Sequence, residues 1–293
     1  MLTTILASIP SPSFNEIEIG PLTIHVYGIL MGIAVATAYV VTVTRYERFG
    51  GDRRVAERAA FWAVVIGFLG ARLAYVSTHT EKFSEDGWLF PIKIWEGGIA
   101  LFGGLTFGTL AVLWVMHRAG GKFPMFLDAV AVGLPAAQAI GRWGNYFNQE
   151  LFGTPTTVPW GLEIAPRFRP DAYSDAATFH PTFLYESMGN VGVVLFLLWI
   201  ERRLNMRQGR LFTIYMMLYG AMRFLLELMR TDTAFRFLGL SRNGWVALGV
   251  AIAGGVLFWW SRGSLEGKEN GDVEEGDVKE EEAVVGEIEE EGE

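Results

Sequence analysis

Residues 141–153 read Gly-Arg-Trp-Gly-Asn-Tyr-Phe-Asn-Gln-Glu-Leu-Phe-Gly and close an apolar stretch in which an arginine is expensive. The run beginning near Met125 is otherwise a membrane-helix pattern, broken by Asp128, Pro135 and Gln138. On insertion scales a guanidinium costs about 2.5–3.5 kcal/mol at the bilayer centre and less toward the interface. Such a cost is tolerated for a partner or a ligand, which makes Arg142 the first candidate for anion chemistry. Asn145, Asn148 and Glu150 add polar groups beside it, and Gly141, Gly144 and Gly153 permit close backbone approach.

A second arginine stands in another apolar run. Tyr219, Arg223 and Glu227 are spaced i, i+4, i+8, and Arg230 follows Arg223 by seven residues, so the four share one helical stripe. At 1.5 Å per residue, Arg223 lies roughly 10 Å in from the outer end of its helix. It can pair with Glu227 inside the helix or snorkel toward the interface. It can also form one half of a two-arginine anion site, and Arg142 at the same depth favours that reading. A planar guanidinium is suited to bidentate phosphate binding.

The elements that must carry these residues follow from composition. The chain has 293 residues, 51% of them hydrophobic, and a mean hydropathy of +0.28, values of a membrane protein. Seven spans can be drawn, at about 22–44, 57–77, 97–117, 125–145, 182–200, 211–230 and 244–261, each near the length that crosses the hydrocarbon. The expected fold is an all-α integral membrane protein whose membrane unit occupies residues 1–262. Its loop 146–181, too long for a simple turn, forms a small external head. Residues 263–293 hold fourteen acidic residues against two lysines, leaving this tail at −12 and the rest of the chain at +4. A segment so charged and so poor in apolar side chains is expected to stay disordered. The first 21 residues lack the basic start and long apolar core of a cleavable signal peptide.

Basic residues alternate between the loops. Arg45, Arg48, Arg53, Arg54 and Arg58 fall on one side with Arg118, Lys122, Arg202, Arg203, Arg207 and Arg210. The N-terminal segment has none, and loop 77–96 has only Lys82 and Lys93. The positive-inside rule puts the N-terminus outside and the acidic tail in the cytoplasm. With that orientation Tyr27, Arg72, Arg142, Asn145, His180, Tyr185, Glu186, Arg223, Glu227 and Arg230 all fall at the external level, and only Asp128 lies at the inner end. The layout predicts a polar chamber in the outer leaflet under the 146–181 loop. Cysteine is absent and the four histidines lack metal-ligand spacing, so no metal, cofactor or disulfide is expected, and no nucleic-acid partner.

The motif around Arg142 resembles the signature of the bacterial prolipoprotein diacylglyceryl transferases. Similar stretches run along most of residues 20–245: His-Val-Tyr-Gly at 25–28, Gly-Ala-Arg-Leu at 70–73, Trp-Glu-Gly-Gly at 95–98, Phe-Gly-Gly-Leu at 102–105, His-Pro-Thr-Phe-Leu-Tyr-Glu at 180–186 and Tyr-Gly-Ala-Met-Arg-Phe at 219–224. The resemblance implies a seven-span protein of the bacterial cytoplasmic membrane. It further implies transfer of a diacylglyceryl group from phosphatidylglycerol to the lipobox cysteine of an exported prolipoprotein, with release of glycerol phosphate. It assigns Arg142 to the lipid phosphate and Arg223 to an essential position. Tyr27, Asn145, Glu150, Gly153, Tyr219 and Glu227 also match positions that matter in the family. One position departs: Phe102 stands where many relatives carry histidine and some tyrosine, and a phenyl ring accepts no proton.

On this reading Arg142, Arg223, Tyr27 and Glu227 are the catalytic candidates. Arg142, Asn145, Asn148, Glu150, Gly153, His180, Tyr219 and Arg72 are the substrate-binding ones. The acceptor supplies the thiol, a few per cent thiolate at neutral pH and more beside arginines. Glu227 and His180 are both open as proton acceptors. Gly98, Gly103, Gly104 and Gly108 read as close helix-packing positions, and Arg167 and Arg169 as solvated charge. A lipid transporter and a non-catalytic phospholipid-binding protein are the alternative functions. The first expects polar residues through the bilayer midplane and repeated halves, neither of which is evident.

Overall fold

The computed structural model describes residues 8–94, 97–204, 206, 209–230 and 236–261. The acidic tail at 263–293 lies outside the described residues. Long helices dominate: α1 (Val26–Arg48), α2 (Arg53–Thr78), α4 (Leu101–Arg118), α5 (Phe123–Asn148), α6 (Thr182–Arg203), α7 (Arg210–Glu227) and α8 (Arg242–Ser261), with a short α3 (Phe83–Asp86) after α2. Six of them are long and apolar enough to cross a membrane. The exception is α7, whose 18 residues include Arg210, Arg223 and Glu227. The span expected at 211–230 is thus a helix, but its own charges keep it outside the set apolar enough to cross.

The first span starts later than expected. Residues 22–25 form β2 (Leu22–His25), paired antiparallel with β1 (Glu16–Ile19), so helix begins only at Val26. The β-branched Ile17, Ile19, Thr23 and Ile24 suit a strand, and Gly20, at φ +61°, opens a two-residue turn that favours glycine. At the start of α2, the Asp52 side chain accepts from Arg54 N–H at 2.7 Å, an ordinary N-cap.

Two helix pairs and a central rod organise the bundle. α2 lies along α4, α1 lies along α5, and α5 also packs against α6 and α7. Small residues bring α2 and α4 close: a Cβ on Gly108 would stand 3.1 Å from Ala63 O, and one on Gly67 would stand 3.2 Å from Gly104 O. Gly98 is not part of this seam; it lies in the preceding loop, beside the Tyr75 ring. At the opposite end of α5, Asp128 caps α7 from a neighbouring helix. Its carboxylate accepts from Gly209 N at 2.8 Å, Leu211 N at 2.9 Å and Phe212 N at 3.3 Å. Those N–H groups have no partner inside the helix, so a carboxylate at this helix start is doubly favoured.

Residues 149–181 build a small head with strands the sequence did not announce. β3 (Leu162–Glu163) pairs with β4 (Thr178–Phe179), and Ile9 of the N-terminal segment adds in parallel to Leu162. On the other side Phe179 bridges to Pro155 and Gly153 bridges to Arg230. Phe152, Leu162, Ile164, Phe179 and Phe183 form the apolar centre of this region. Arg169 is tied into it, donating to Ile164 O at 2.9 Å and Ser174 O at 3.1 Å, and is not the free surface charge expected.

Candidate functional site

Because α5, α6 and α7 run alternately, the C-terminal end of α5, the N-terminal end of α6 and the C-terminal end of α7 meet at one level. Arg142 comes from α5, Glu186 from α6, and Arg223 and Glu227 from α7. They form a continuous ion chain. Arg142 Nε is 2.6 Å from Glu186 Oε2, Arg223 Nη1 is 3.4 Å from Glu186 Oε1, and Arg223 Nη2 is 2.7 Å from Glu227 Oε2. Arg230 Nε stands 3.9 Å from the same Glu227 oxygen, and Ser241 donates to Glu227 Oε1 at 2.7 Å. Both carboxylates are 2% exposed, whereas Arg142 is 22% exposed and is the most accessible member.

The seam beside this chain is fixed by neutral hydrogen bonds. Trp143 Nε1 donates to Ser187 Oγ at 3.2 Å, and that hydroxyl donates to Ala139 O at 2.8 Å, joining α5 to α6 one residue from Arg142 and Glu186. Arg142 Nη1 donates to Asn145 Oδ1 at 3.3 Å. Glu150 Oε1 accepts from Asn145 Nδ2 at 2.9 Å and from Asn148 Nδ2 at 3.3 Å. Tyr27, at the entrance of α1, lies over Gly144, where a Cβ would stand 2.5 Å from its ring. The glycine is what lets the tyrosine sit against the Arg142 turn.

Three of the expected substrate-binding residues have other tasks. Arg72 points all five N–H donors at loop carbonyls: Nε to Pro91 O at 3.0 Å, Nη1 to Gly97 O and Gly98 O at 2.7 and 2.9 Å, and Nη2 to Phe90 O and to Lys93 O at 3.1 Å. A guanidinium has five donors, so none remains for a lipid phosphate. Arg72 folds the loop between α2 and α4. Gly153 is buried, its N–H donating to His180 O at 2.9 Å, and an added Cβ would stand 2.9 Å from His180 Cβ and 3.1 Å from Met229 O. It joins the head to the end of α7 and presents no face to a ligand. His180 directly follows β4, its Nδ1 3.2 Å from the Tyr185 hydroxyl, which also accepts from Trp160 Nε1 at 2.9 Å. The ion chain does not include it.

Tyr219 lies one turn inward of Arg223 and stacks on Tyr215 at 5.6 Å. Tyr215 in turn donates to Gln138 Oε1 at 3.2 Å. Phe102 is 56% exposed near the start of α4, on a helix that packs chiefly against α2. Glu186, Arg230 and Ser241 were not among the candidates. Glu186 left a signal: two arginines at one depth require counter-charge, and it is the acid at that level on a third helix. Arg230 was marked by its place on the Arg223 stripe. Ser241 left none, since its hydroxyl meets Glu227 only through the folding of residues 236–241.

Among the described residues no three histidines, aspartates or glutamates are placed to hold a metal. A cleft of about 460 Å³ lies in the head, lined by Pro155, Thr156, Thr157, Ala176, Ala177 and Thr178. None of these residues belongs to the ion chain, and none is charged.

Fold and site together define a multi-pass helical membrane protein with a cluster of paired arginines and glutamates at one end of its bundle. Residues 15–260 match the family described as prolipoprotein diacylglyceryl transferase, and the chain belongs to that family. It is 44% identical over 229 residues to the phosphatidylglycerol–prolipoprotein diacylglyceryl transferase of Cutibacterium acnes, covering 78% of this chain and 77% of that one. The enzyme of the same description from Streptomyces griseus is 43% identical over 249 residues, 84% of this chain and 75% of its own. That of Bifidobacterium longum is 41% identical over 269 residues, 86% and 85% of the two chains.

Proposed function

We propose that this protein is a phosphatidylglycerol–prolipoprotein diacylglyceryl transferase. It moves the diacylglyceryl group of the lipid onto the lipobox cysteine of an exported precursor. Family membership supports the reaction, and the observation that supports the site is the two-arginine arrangement around Glu186 at the ends of α5, α6 and α7. The chain of charges stays at one end of the bundle, which favours a seat for a single anionic head group over a permeation path.

The acceptor thiol loses its proton to solvent, its sulfur bonds to the glyceryl carbon, and the carbon–oxygen bond to phosphate breaks. The electron pair leaves with glycerol phosphate. Arg142, with a partly exposed fork, holds the phosphate, and Arg223 stabilises the charge that grows on it, a contribution of the kind that often dominates catalysis. Asn145 orients Arg142, and Glu150 with Asn148 orients Asn145. Tyr27 stands over the same turn to donate a hydrogen bond to the head group. Glu227 holds Arg223 in place through their 2.7 Å contact; with both of its oxygens engaged by Arg223, Arg230 and Ser241, it is a positioning residue rather than a proton acceptor.

In this reading α7 also crosses the bilayer, bringing the spans to seven, its outer charges neutralised by neighbours. The N-terminus and the head are external, and the basic loops and the acidic tail at 263–293 are cytoplasmic, as the loop charges require. Purified protein mixed with phosphatidylglycerol and a lipobox peptide tests the proposal: diacylglyceryl-peptide and glycerol phosphate should appear in equal amounts. Lipid binding with no transfer to the thiol would overturn it.

A further inference from the structure

Glu186 touches both arginines assigned to the phosphate, and the mechanism so far gives it no task. Its side chain is 2% exposed, with one oxygen 2.6 Å from Arg142 and the other 3.4 Å from Arg223. The first turns of α6 hold it there: Asn190, one turn deeper, donates to Glu186 O at 2.8 Å, and Ser187 is locked to α5. Glu227 differs, because Arg230 and Ser241 attend to it as well. Glu186 is thus the carboxylate common to the two arginines assigned to the phosphate, and it takes one positive charge away from that pair.

A phosphodiester lipid carries a single negative charge. The leaving glycerol phosphate, a monoester whose second ionisation lies near pKa 6, carries about two at neutral pH. Two arginines without an acid would hold the dianion in preference to the lipid, and turnover would stall on product. We propose that Glu186 lowers the positive charge of this site, so that the monoanionic diester is not outcompeted by the dianionic monoester product. As a resident carboxylate, it competes with the dianionic product for Arg142 and Arg223 and so expels it. The inference rests on the reading that these arginines hold the lipid phosphate.

The test uses the full chain in detergent and calorimetric titration with two soluble probes, glycerol phosphate and glycerophosphoglycerol, the diester head group without its acyl chains. The wild type should bind the diester at least as tightly as the monoester, despite the monoester's greater charge. Glu186→Gln keeps the shape and removes the charge, so glycerol phosphate should bind at least about tenfold more tightly while the diester changes less. Its transfer reaction should show a first turnover followed by a slow steady rate relieved by removing glycerol phosphate. A folded Glu186→Gln protein that binds the monoester no better than wild type overturns the inference. If that variant does not fold, the wild-type comparison decides, and a monoester preference of about tenfold or more overturns it. Arg142→Ala separates the two layers of the argument. Wild-type affinity for both probes in that variant would overturn the phosphate-site reading itself. Lost affinity there, with no tightening in Glu186→Gln, would overturn only the role of Glu186.

Discussion

Buried charge is handled in two different ways in this molecule. Away from the site, charges are held by fixed partners, and Arg72 and Asp128 are saturated by theirs. Arg72 spends five donors on five loop carbonyls, Asp128 accepts three backbone N–H groups at the start of α7, and Arg45 pairs with Glu201 at 2.8 Å across α1 and α6. Where the ends of α5, α6 and α7 meet, the partners are shared instead. Glu186 serves Arg142 and Arg223, and Glu227 serves Arg223 and Arg230. A saturated charge is a structural joint, because an incoming ligand has nothing to offer it. A shared charge can exchange one of its partners for a phosphate. The contrast separates Arg72 from Arg142, two arginines that look alike in the sequence.

Arg142→Ala should break the contrast most visibly. Glu186 keeps Arg223 as a partner, so the variant should fold, yet transfer should fall at least about a hundredfold, on the scale of roughly 2.7–4 kcal/mol for one lost transition-state donor. Arg142→Lys keeps the charge without the planar fork and should recover little. Transfer rate measured beside the melting temperature decides the matter; a folded Arg142→Ala protein with normal rate would place Arg142 among the structural joints.

Arg72→Ala should show the opposite signature. Five carbonyls lose their donor, and a loss of about 3 kcal/mol or more in stability is expected, read as a fall in melting temperature. The fraction that remains folded should still transfer lipid. A stable Arg72→Ala protein with lost activity would move Arg72 into the site.

Asp128→Asn sharpens the comparison at lower cost. The amide oxygen still accepts, but the charge that favours a helix start is gone, and about 1 kcal/mol of stability should go with it. Transfer per folded molecule should not change, as measured by rate normalised to folded protein. The smallest effect is expected for Phe102→Leu, which keeps an apolar group on an exposed helix face and should cost less than about 1.5 kcal/mol. Near-normal transfer in that variant would show that no proton acceptor is needed at this position.

Much of this was legible in the chain itself, because the bilayer imposes a strict code. Runs of about 20 apolar residues define spans, and α2, α4, α5, α6 and α8 lie where those runs predict. Arg142, Arg223 and Glu227 stood out because charge in an apolar run is costly wherever it points. What that cost could not reveal was the identity of the partner. Arg72 and Arg142 are expected at the same level, and only the placement of residues 90–93 and 97–98 shows that one of them is consumed by carbonyls. Glu186 is 44 residues from Arg142 and 37 from Arg223 in sequence, so its place between them depends on how three helices pack. The strands of the head were equally hidden, since pairs of two residues carry too little alternation to read and form only when Ile9, Leu162, Phe179 and Pro155 converge. The sequence by itself determined the membrane helices and the chemical types at the site. The tertiary structure alone decided which charges are saturated and which are shared, because that depends on distances of a few ångströms between groups far apart in the chain.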